Sequence, residues 1–312
     1  MQTITESERG VIRLLLEDSR MDIEEIGERL AKGRNWVART VRKFVRLGVI
    51  RAYITVFNPD HLYGDRSTIL LMKSNPRELA VSRSILEMAE LESLDGVSGT
   101  HGLLGLFRFT GLVPFEDFLN RVDAVVATSG SRTYNLIQVL TTYKAHGLII
   151  KKNSLPSPAM APTDWALVNA LRFYKPTEEN PFPPSQKEIG ARMSSHLSQP
   201  AVSKAMRRLE ERGIIAGYSV DVLMKHVGMP IKFFLQIKIS PGIVVEAASK
   251  ICGMTAVWDL HRTGDAYNLF ATVRTKDIDD YNGFLKQLYR IGGVEDTQSQ
   301  ISLEEWSISL RT

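Results

Sequence analysis

The sequence predicts an α+β fold in which one arrangement of helices and strands occurs twice. Residues 23–53 and 186–218 each contain a short helical pattern with Glu-Ile-Gly, a turn, a basic amphipathic helix and a closing Gly-Val-Ile or Gly-Ile-Ile. After each copy, strand and helix patterns follow in the order βαββαβ, which is typical of a ferredoxin-like sheet with two helices on one face. Together these observations predict two winged, three-helix helix-turn-helix domains, each followed by a ferredoxin-like domain.

Residues 1–64 are expected to form the first helix-turn-helix domain. Thr5 begins a Thr-x-x-Glu capping box ahead of the first helix, and Asp22 and Asn35 can cap the second and third helices. Residues 49–57 then alternate between apolar and polar side chains like a strand.

Residues 65–148 are expected to form the first ferredoxin-like domain. Its predicted elements are a strand at 67–72, a helix at 78–91, two strands within 97–110, a helix at 115–126 and a strand at 133–142. The open face of such a sheet carries apolar side chains, so we expect another part of the protein to cover it. A linker is predicted at 149–162, where prolines oppose regular structure.

The same order restarts in the second half of the chain. Residues 163–229 are expected to form the second helix-turn-helix domain, with a helix at 165–174, a capping box from Ser185, a basic helix capped by Ser198 and a strand at 214–220. Residues 230–312 are expected to form the second ferredoxin-like domain, with elements at 232–239, 244–252, 256–262, 267–273, 278–289 and 297–309.

The composition indicates an ordinary globular protein without a disulfide framework. The chain has 312 residues, 44% hydrophobic and 24% charged, which at roughly 150 residues per domain suggests two domains or more. Cys252 is the single cysteine, so no intrachain disulfide can form and a reducing compartment is expected. We find no signal-peptide pattern at the start and no apolar stretch of the roughly 20 residues that a membrane helix needs. We therefore expect a cytoplasmic protein.

Positive charge is concentrated on the first basic helix and its surroundings. The net charge is only +4, but between Arg29 and Arg51 there are eight basic residues and no acidic one: Arg29, Lys32, Arg34, Arg39, Arg42, Lys43, Arg46 and Arg51. A solvated helix face usually mixes both signs, whereas a stripe of one sign focuses the electrostatic potential at one surface. Two basic helix-turn-helix copies therefore point to double-stranded DNA as the partner.

Five segments also carry a family resemblance, namely residues 11–20, 47–53, 197–203, 208–215 and 262–270. In these segments, and in the order of its domains, the chain resembles the leucine-responsive/asparagine (Lrp/AsnC) family of transcription regulators. The resemblance covers both halves, and the tandem duplication departs from the usual single-copy member. It implies RAM-type ligand-binding function for the ferredoxin-like domains, which pair through their sheets. We expect an intrachain pseudo-dimer, homo-oligomers and a regulator that is not an enzyme.

The helix that would enter the major groove provides the candidate DNA contacts. In the first copy we expect base contacts from Arg34, Asn35, Trp36 and Arg39, and backbone contacts from Arg42, Lys43 and Arg46. In the second copy the corresponding residues are Ser198, Gln199, Ser203 and Lys204, with Arg207 and Arg208 behind them. Trp36 is equally compatible with local packing. Because the two helices differ at these positions, we expect two unlike half-sites, although the second turn is two residues longer.

The resemblance also places a small-molecule effector, typically amino-acid-like, near a turn of the second ferredoxin-like domain. The candidate residues are Thr263, Gly264, Asp265, Tyr267 and Asn268. A plain hairpin turn explains Gly-Asp equally well. The corresponding stretch of the first half, residues 98–105, lacks the aspartate. We expect no metal or cofactor, because the six histidines and one cysteine form no zinc-binding spacing.

Two alternatives to a specific regulator remain open at this point. Residues 261–270 are compatible with the His…Tyr-Asn-Leu stretch of siroheme decarboxylases, enzymes of tetrapyrrole biosynthesis that resemble two paired Lrp-like subunits. The second alternative is a nucleoid-type architectural protein, which would bind all DNA sequences with similar affinity and similar salt dependence.

Overall fold

The computed structural model describes residues 4–62, 67–75, 77–109, 112–151, 160–193 and 196–306. Most of the expected linker, residues 152–159, lies outside this part, as do residues 307–309 at the expected end of the last strand. The chain forms two compact units, one made of Met1–Asn58 with His146–Pro230 and the other of Pro59–Ala145 with Ile231–Thr312. Each unit therefore takes one segment from each half of the chain.

Within the described residues, the first half contains six helices and six strands. They are α1 (Glu6–Glu17), α2 (Ile23–Arg29), α3 (Arg34–Arg46), β1 (Ile50–Phe57), α4 (Pro59–Leu62), β2 (Ser67–Met72), α5 (Leu79–Leu86), β3 (Leu91–Val97), β4 (Leu103–Arg108), α6 (Leu112–Thr128), β5 (Tyr134–Ala145) and β6 (Leu148–Ile149).

The second half has the same order of longer elements. They are α7 (Pro162–Arg172), β7 (Phe173–Tyr174), α8 (Gln186–Arg192), α9 (Gln199–Glu211), β8 (Ile215–Val222), a 3-10 turn (Met224–Val227), β9 (Ile231–Ile239), α10 (Val244–Cys252), β10 (Val257–Thr263), β11 (Leu269–Thr275), α11 (Ile278–Leu288) and β12 (Val294–Trp306). The predicted α+β class, with two ferredoxin-like βαββαβ segments, is confirmed.

Two local predictions in the first half were wrong. The helix expected at residues 78–91 ends at Leu86, and residues 91–97 form the strand β3. A bulge after Leu91 shifts the pairing of β3 with β4, so the apolar residues Leu91 and Leu94 lie three apart, a spacing that a helix also produces. The expected cap of α3, Asn35, lies instead in its first turn, because Gly33 is the N-cap and its carbonyl accepts from the Trp36 N–H at 2.9 Å.

The first unit holds the two helix-turn-helix segments through one antiparallel sheet, in the order β7-β1-β8. Tyr53 of β1 lies opposite Val220 of β8 on one side and Tyr174 of β7 on the other. The guanidinium of Arg20 lies 4.0 Å from the ring centre of Tyr218, so the turn after α1 also contacts the second half. The strand that follows each basic helix is therefore the surface through which the two segments join.

The second unit is built on strands from both halves that close on themselves. The strands β10, β11, β9, β12, β3, β4, β2 and β5 pair antiparallel in that order, and β5 pairs with β10 as well. The last strand of each half thus joins the sheet of the other half. Tyr143 and Trp306, near the ends of β5 and β12, pack against the helix-side core of the opposite half.

The inner face of this ring is an apolar core shared by the two halves. Its buried members are Ile69, Leu71, Val97, Leu104, Ile137 and Val139 from the first half and Phe234 and Phe270 from the second. Each fully buried side chain of this size contributes about 1.5–3 kcal/mol. The two sheets therefore cover one another's apolar faces, while α5 and α6, and α10 and α11, cover the outer faces.

His261 lies on β10 at one of the two places where the halves meet. Its side chain is buried, and Nδ1 is 3.1 Å from the Thr142 hydroxyl on β5. Burial lowers the pKa of His261 to about 4, although the nearby Asp259 acts in the opposite direction. The imidazole is therefore neutral at physiological pH.

His261 should make the protein less stable as the pH falls. Its pKa lies below the ordinary value of 6.5, so the unfolded chain binds the proton first and the full stability is present only above that value. Between pH 6.5 and 4 we expect a loss of about 3 kcal/mol, at about 1.4 kcal/mol per pH unit. His261→Gln keeps a hydrogen-bonding group but does not titrate, so urea unfolding of this variant should depend less on pH. An unchanged slope in the variant would contradict the assignment.

Candidate nucleic-acid interface

The α3 helix has an apolar inner face and a cationic outer face. Val37, Val41 and Phe44 are buried against the other helices of the segment. The exposed side chains include those of Arg34, Asn35, Arg39, Arg42 and Arg46. The structure thus brings five of the seven predicted residues of the first copy to one exposed helix. Trp36 is half-buried, with the Lys32 ammonium 5.6 Å from its ring centre.

A glycine in the helix before each basic helix allows the connecting turn to pass close to that helix. A Cβ on Gly27 would lie 2.6 Å from the Lys32 carbonyl oxygen, and a Cβ on Gly190 would lie 2.2 Å from the Leu197 carbonyl oxygen. Both distances are shorter than any van der Waals contact, so these positions require glycine. The glycine of each Glu-Ile-Gly therefore has a steric role in placing the turn before the basic helix.

One cation of each basic helix pairs with an acid of the first helix of its own segment. The Lys43 ammonium lies 2.6 Å from Glu8, which is also the acid of the α1 capping box. In the second half, Arg208 pairs with Asp164, the acid three residues into α7, and Arg212 lies 3.5 Å from the same carboxylate. Burial acts to raise the pKa of Glu8, but hydrogen bonds from Lys43 and Thr5 leave it lowered.

These two pairs occupy equivalent places in the two halves. In each, the acid near the start of the first helix binds a cation in the last turn of the basic helix. Because Glu8 and Asp164 are largely buried, removing the cation from either pair should destabilise the protein more than breaking an exposed pair. Lys43 and Arg208 therefore fix the orientation of α3 and α9, a role that charge patterning alone did not reveal.

The other predicted cations lie at the surface. Arg34 is 3.1 Å from Glu24, and Arg207 is 2.9 Å from Glu211, with both partners exposed in each pair. Exposed pairs of this kind contribute about 0–1 kcal/mol and exchange readily for a phosphate. The guanidinium of Arg39 donates to the Asn35 carbonyl oxygen at 3.3 Å.

The α9 helix presents a less cationic surface than α3. Ser198, Gln199, Ser203, Lys204, Arg207 and Arg208 are exposed. Ser198 is the N-cap, but its side chain makes no capping hydrogen bond. Residues 193–198 separate α8 from α9, whereas only residues 30–33 separate α2 from α3. The longer second turn is thus present, and residues 194–195 within it lie outside the described part of the chain.

A proline-rich loop of the second half packs beside the first half. Between β7 and α8, the carbonyl of Pro181 accepts from the Tyr53 hydroxyl at 2.8 Å, and Arg42 lies 5.8 Å from the ring centre of Phe182. The first half has only residues 18–22 between α1 and α2. This loop makes the two helix-turn-helix segments unequal, and the difference in loop length was the sequence signal for it.

The candidate effector turn is held by its own side chains. The Thr263 hydroxyl donates to the Tyr267 carbonyl oxygen at 2.7 Å, and the Asn268 amide bonds both backbone groups of Ile239, at 2.7 and 2.9 Å. The Tyr267 hydroxyl donates to Asp296 at 2.5 Å. Gly264 and Asp265 are exposed. The structure therefore brings the five predicted residues together, but three of their side chains are engaged in shaping the turn.

This turn and its counterpart in the first half each touch the last strand of the other half. The Gly264 N–H donates to the Gln138 carbonyl at 3.1 Å, and the Ser98 N–H donates to the Ile301 carbonyl at 2.9 Å. His101 lies beside Gln300, and burial lowers its pKa. Within the described residues, no cluster of His, Cys, Asp or Glu is arranged for a metal ion, and no helix is long and apolar enough to cross a membrane.

Comparison with known proteins gives consistent similarities. A family model described as the Lrp/AsnC ligand binding domain matches residues 232–310. The chain is 30% identical over 108 residues to the HTH-type transcriptional regulator FL11 of Pyrococcus furiosus, which covers 35% of this chain and 72% of that protein. It is 24% identical over 148 residues to the HTH-type transcriptional regulator LysM of Sulfurisphaera tokodaii, covering 47% and 99%.

Both halves together resemble one solved structure. The siroheme decarboxylase NirDL superposes with a TM-score of 0.63 at 14% sequence identity, and the superposition covers 96% of this chain and 92% of that one. At this identity the likeness shows a shared fold over nearly the whole chain.

Proposed function

This chain belongs to the Lrp/AsnC family, and we propose that it is a cytoplasmic, sequence-specific transcription regulator that binds DNA as an intrachain pseudo-dimer. The observation that supports the proposal most directly is the exposed cationic face of α3, backed by an apolar core. Transcription regulators similar to this chain over most of their own length support the same function. We also propose that the two halves arose by tandem duplication.

The contacts assigned to each basic helix follow from its exposed side chains. In α3 we assign Arg34, Asn35 and Arg39 to base edges and Arg42 and Arg46 to phosphates, since guanidinium and amide groups can each bind one base through two hydrogen bonds. In α9 the base contacts would come from Ser198, Gln199, Ser203 and Lys204, with Arg207 on a phosphate. Lys43 and Arg208 would act by positioning their helices rather than by touching DNA.

The pairing of β1 with β8 supports recognition of two unlike half-sites. It holds α3 and α9 in one compact unit of a single chain. A homodimer presents the same helix twice and prefers a palindrome, whereas this unit presents two helices with different exposed residues. We therefore propose an operator whose two halves differ in sequence.

Removal of Arg39 should weaken specific DNA binding. We expect Arg39→Ala to cost about 1–3 kcal/mol on selected sites, and Arg46→Ala to weaken all sites and reduce the salt slope by about one. Binding to a genomic fragment library at two salt concentrations measures both effects. Arg13→Ala is the matched control, because Arg13 is an exposed cation of α1 paired with Glu6.

Three results of this experiment would contradict the proposal. Equal retention of all fragments would indicate an architectural protein, and no retention at either salt concentration would exclude DNA as the partner. Selected sites that are perfect palindromes would contradict recognition of two unlike half-sites by α3 and α9.

Lys43→Met should lower the melting temperature, because it leaves the buried Glu8 without its cation. The folded variant should keep the salt slope of its DNA binding.

We further propose that the turn at residues 263–268 senses an amino-acid-like effector. The exposed Asp265 carboxylate, which accepts from the Ala266 N–H at 2.7 Å, is the charged group left for a ligand, since Thr263, Tyr267 and Asn268 bind within the protein. An exposed carboxylate suits a ligand with an ammonium group.

Titration calorimetry with the twenty standard amino acids tests this proposal. We expect one or a few to bind, and Asp265→Ala to weaken binding by about 1.5–3 kcal/mol through loss of a charge-assisted hydrogen bond. Asp277→Ala is a control that removes an acid at the start of α11. Binding that is insensitive to Asp265→Ala, or no binding at all, would count against an effector at this turn.

A tetrapyrrole enzyme is the second candidate, because the fold of NirDL extends over 96% of this chain. The packed inner face around Phe234 and Phe270 and the fully buried His261 weigh against it. Siroheme absorbs in the visible range, so a spectral shift on mixing it with the protein measures binding directly. We expect no shift; a shift that His261→Gln abolishes would favour the enzyme.

A further inference from the structure

A group of charges, most of them buried, joins the two halves where β3 meets β12. The Lys232 ammonium lies 2.9 Å from both carboxylate oxygens of Asp95 and 3.6 Å from Glu305. Arg274 binds both oxygens of Glu305, at 2.8 and 2.5 Å, and the Ser302 hydroxyl donates to Asp95 at 2.7 Å. We call these five residues the seam cluster. Asp95 is 1% exposed and Lys232 is 8% exposed.

The seam cluster is unevenly divided between the halves. Only Asp95 comes from the first half, on β3, whereas Lys232, Arg274 and Glu305 lie on β9, β11 and β12 of the second half. Burial acts to raise the pKa of Glu305, but its hydrogen bond and charge interaction with Arg274 leave it lowered. The buried Lys232 and Arg274 and the exposed Glu305 give the second half a net charge of +1 in this cluster, which Asp95 neutralises.

The second seam, between β5 and β10, places other residues at the equivalent positions. Asp95 lies opposite Glu305 at the first seam, and His261 lies opposite Thr142 at the second. On the neighbouring strands, Lys232 lies opposite Arg274, whereas Ser67 lies opposite Arg108. The two seams therefore pair equivalent residues at these positions but differ in chemistry, and the second seam has an additional register shift between Leu260 and His261.

These differences decide which halves can pair. In a pair of two first halves, Asp95 would lie opposite Thr142, with Ser67 in place of Lys232 and Arg108 in place of Arg274. In a pair of two second halves, the neutral His261 would take the place of Asp95 beside Lys232 and Arg274, which would share Glu305 as their anion. The first arrangement removes the Lys232 ammonium from the buried Asp95, and the second leaves one buried cation without its carboxylate, which is strongly unfavourable.

We propose that the seam cluster restricts each ferredoxin-like segment to the unlike half, so that copies of this chain do not exchange like halves. The proposal rests on the intrachain pseudo-dimer proposed above. The smaller unit shows the same unlike pairing, of β1 with β8. A regulator built in this way always presents one α3 and one α9.

A disulfide across the first seam, where β3 meets β12, shows which halves are paired. Gly96 lies opposite Glu304, and a Cβ built on Gly96 is 3.5 Å from the Glu304 Cβ, within the range that a disulfide requires. In a C252A background, we expect the full chain with G96C and E304C to oxidise within one molecule. The matched control is G96C with T141C, since Thr141 has the place of Glu304 at the second seam. It should form no disulfide between molecules.

Charge reversal tests whether the seam cluster determines which halves pair. Within one chain, D95K places two lysines together and K232D places two aspartates together. Between two chains, the lysine of D95K can pair with the aspartate of K232D. We co-express a D95K/G96C chain with a K232D/E304C chain. The matched control is a G96C chain with an E304C chain, both with wild-type charges. We expect at least about tenfold more intermolecular disulfide in the charge-reversed pair.

Non-reducing gels and mass spectrometry distinguish disulfides within one molecule from disulfides between molecules. Equal intermolecular disulfide in the two co-expressions would overturn the proposal, as would a G96C/T141C disulfide between wild-type-charge chains. If D95K alone does not fold, the D95K/K232D double variant in one chain should restore the intramolecular G96C/E304C disulfide, and failure to do so also overturns the proposal. None of these readouts involves DNA, so they do not depend on whether the protein is a regulator.

Discussion

The closure of the second unit depends on strand pairing between the two halves of the chain. Taken alone, each βαββαβ segment has an apolar sheet face and unpaired edge strands, both of which favour association. Here β5 joins β10 and β12 joins β3, so the eight pairings leave no open edge among these strands. The shared apolar core of Phe234, Phe270 and their first-half partners follows from this closure.

The two halves share an architecture but differ where function is expected. Equivalent acids, Glu8 and Asp164, hold equivalent cations of α3 and α9, so the frame of both segments is the same. The exposed residues, the turn length before the basic helix and the loop at Pro181 differ. A protein that recognises two different DNA sequences requires this combination of a shared supporting structure and different exposed residues.

Much of the fold could be predicted from sequence because its signals are local. The capping boxes at Thr5 and Ser185 and the strand at Ser67–Met72 were confirmed in place. The helix expected across residues 78–91 was wrong, because a bulge in β3 gives apolar spacings that a helix shares. The pairs of Lys43 with Glu8 and of Lys232 with Asp95 join residues 35 and 137 positions apart. No local pattern indicates such contacts, so the candidate site was predicted as a charged helix without its supporting pairs.

Covalent connection of the paired strands has a consequence for how such a regulator responds to its own abundance. A dimer assembled from separate subunits dissociates on dilution, so its active fraction rises steeply with expression level. With β1 and β8 in the same chain, the effective concentration of each partner is fixed by the connecting segment. In the proposed regulator, operator occupancy would then rise in direct proportion to the number of molecules at low copy number, so a few copies would be enough for a response.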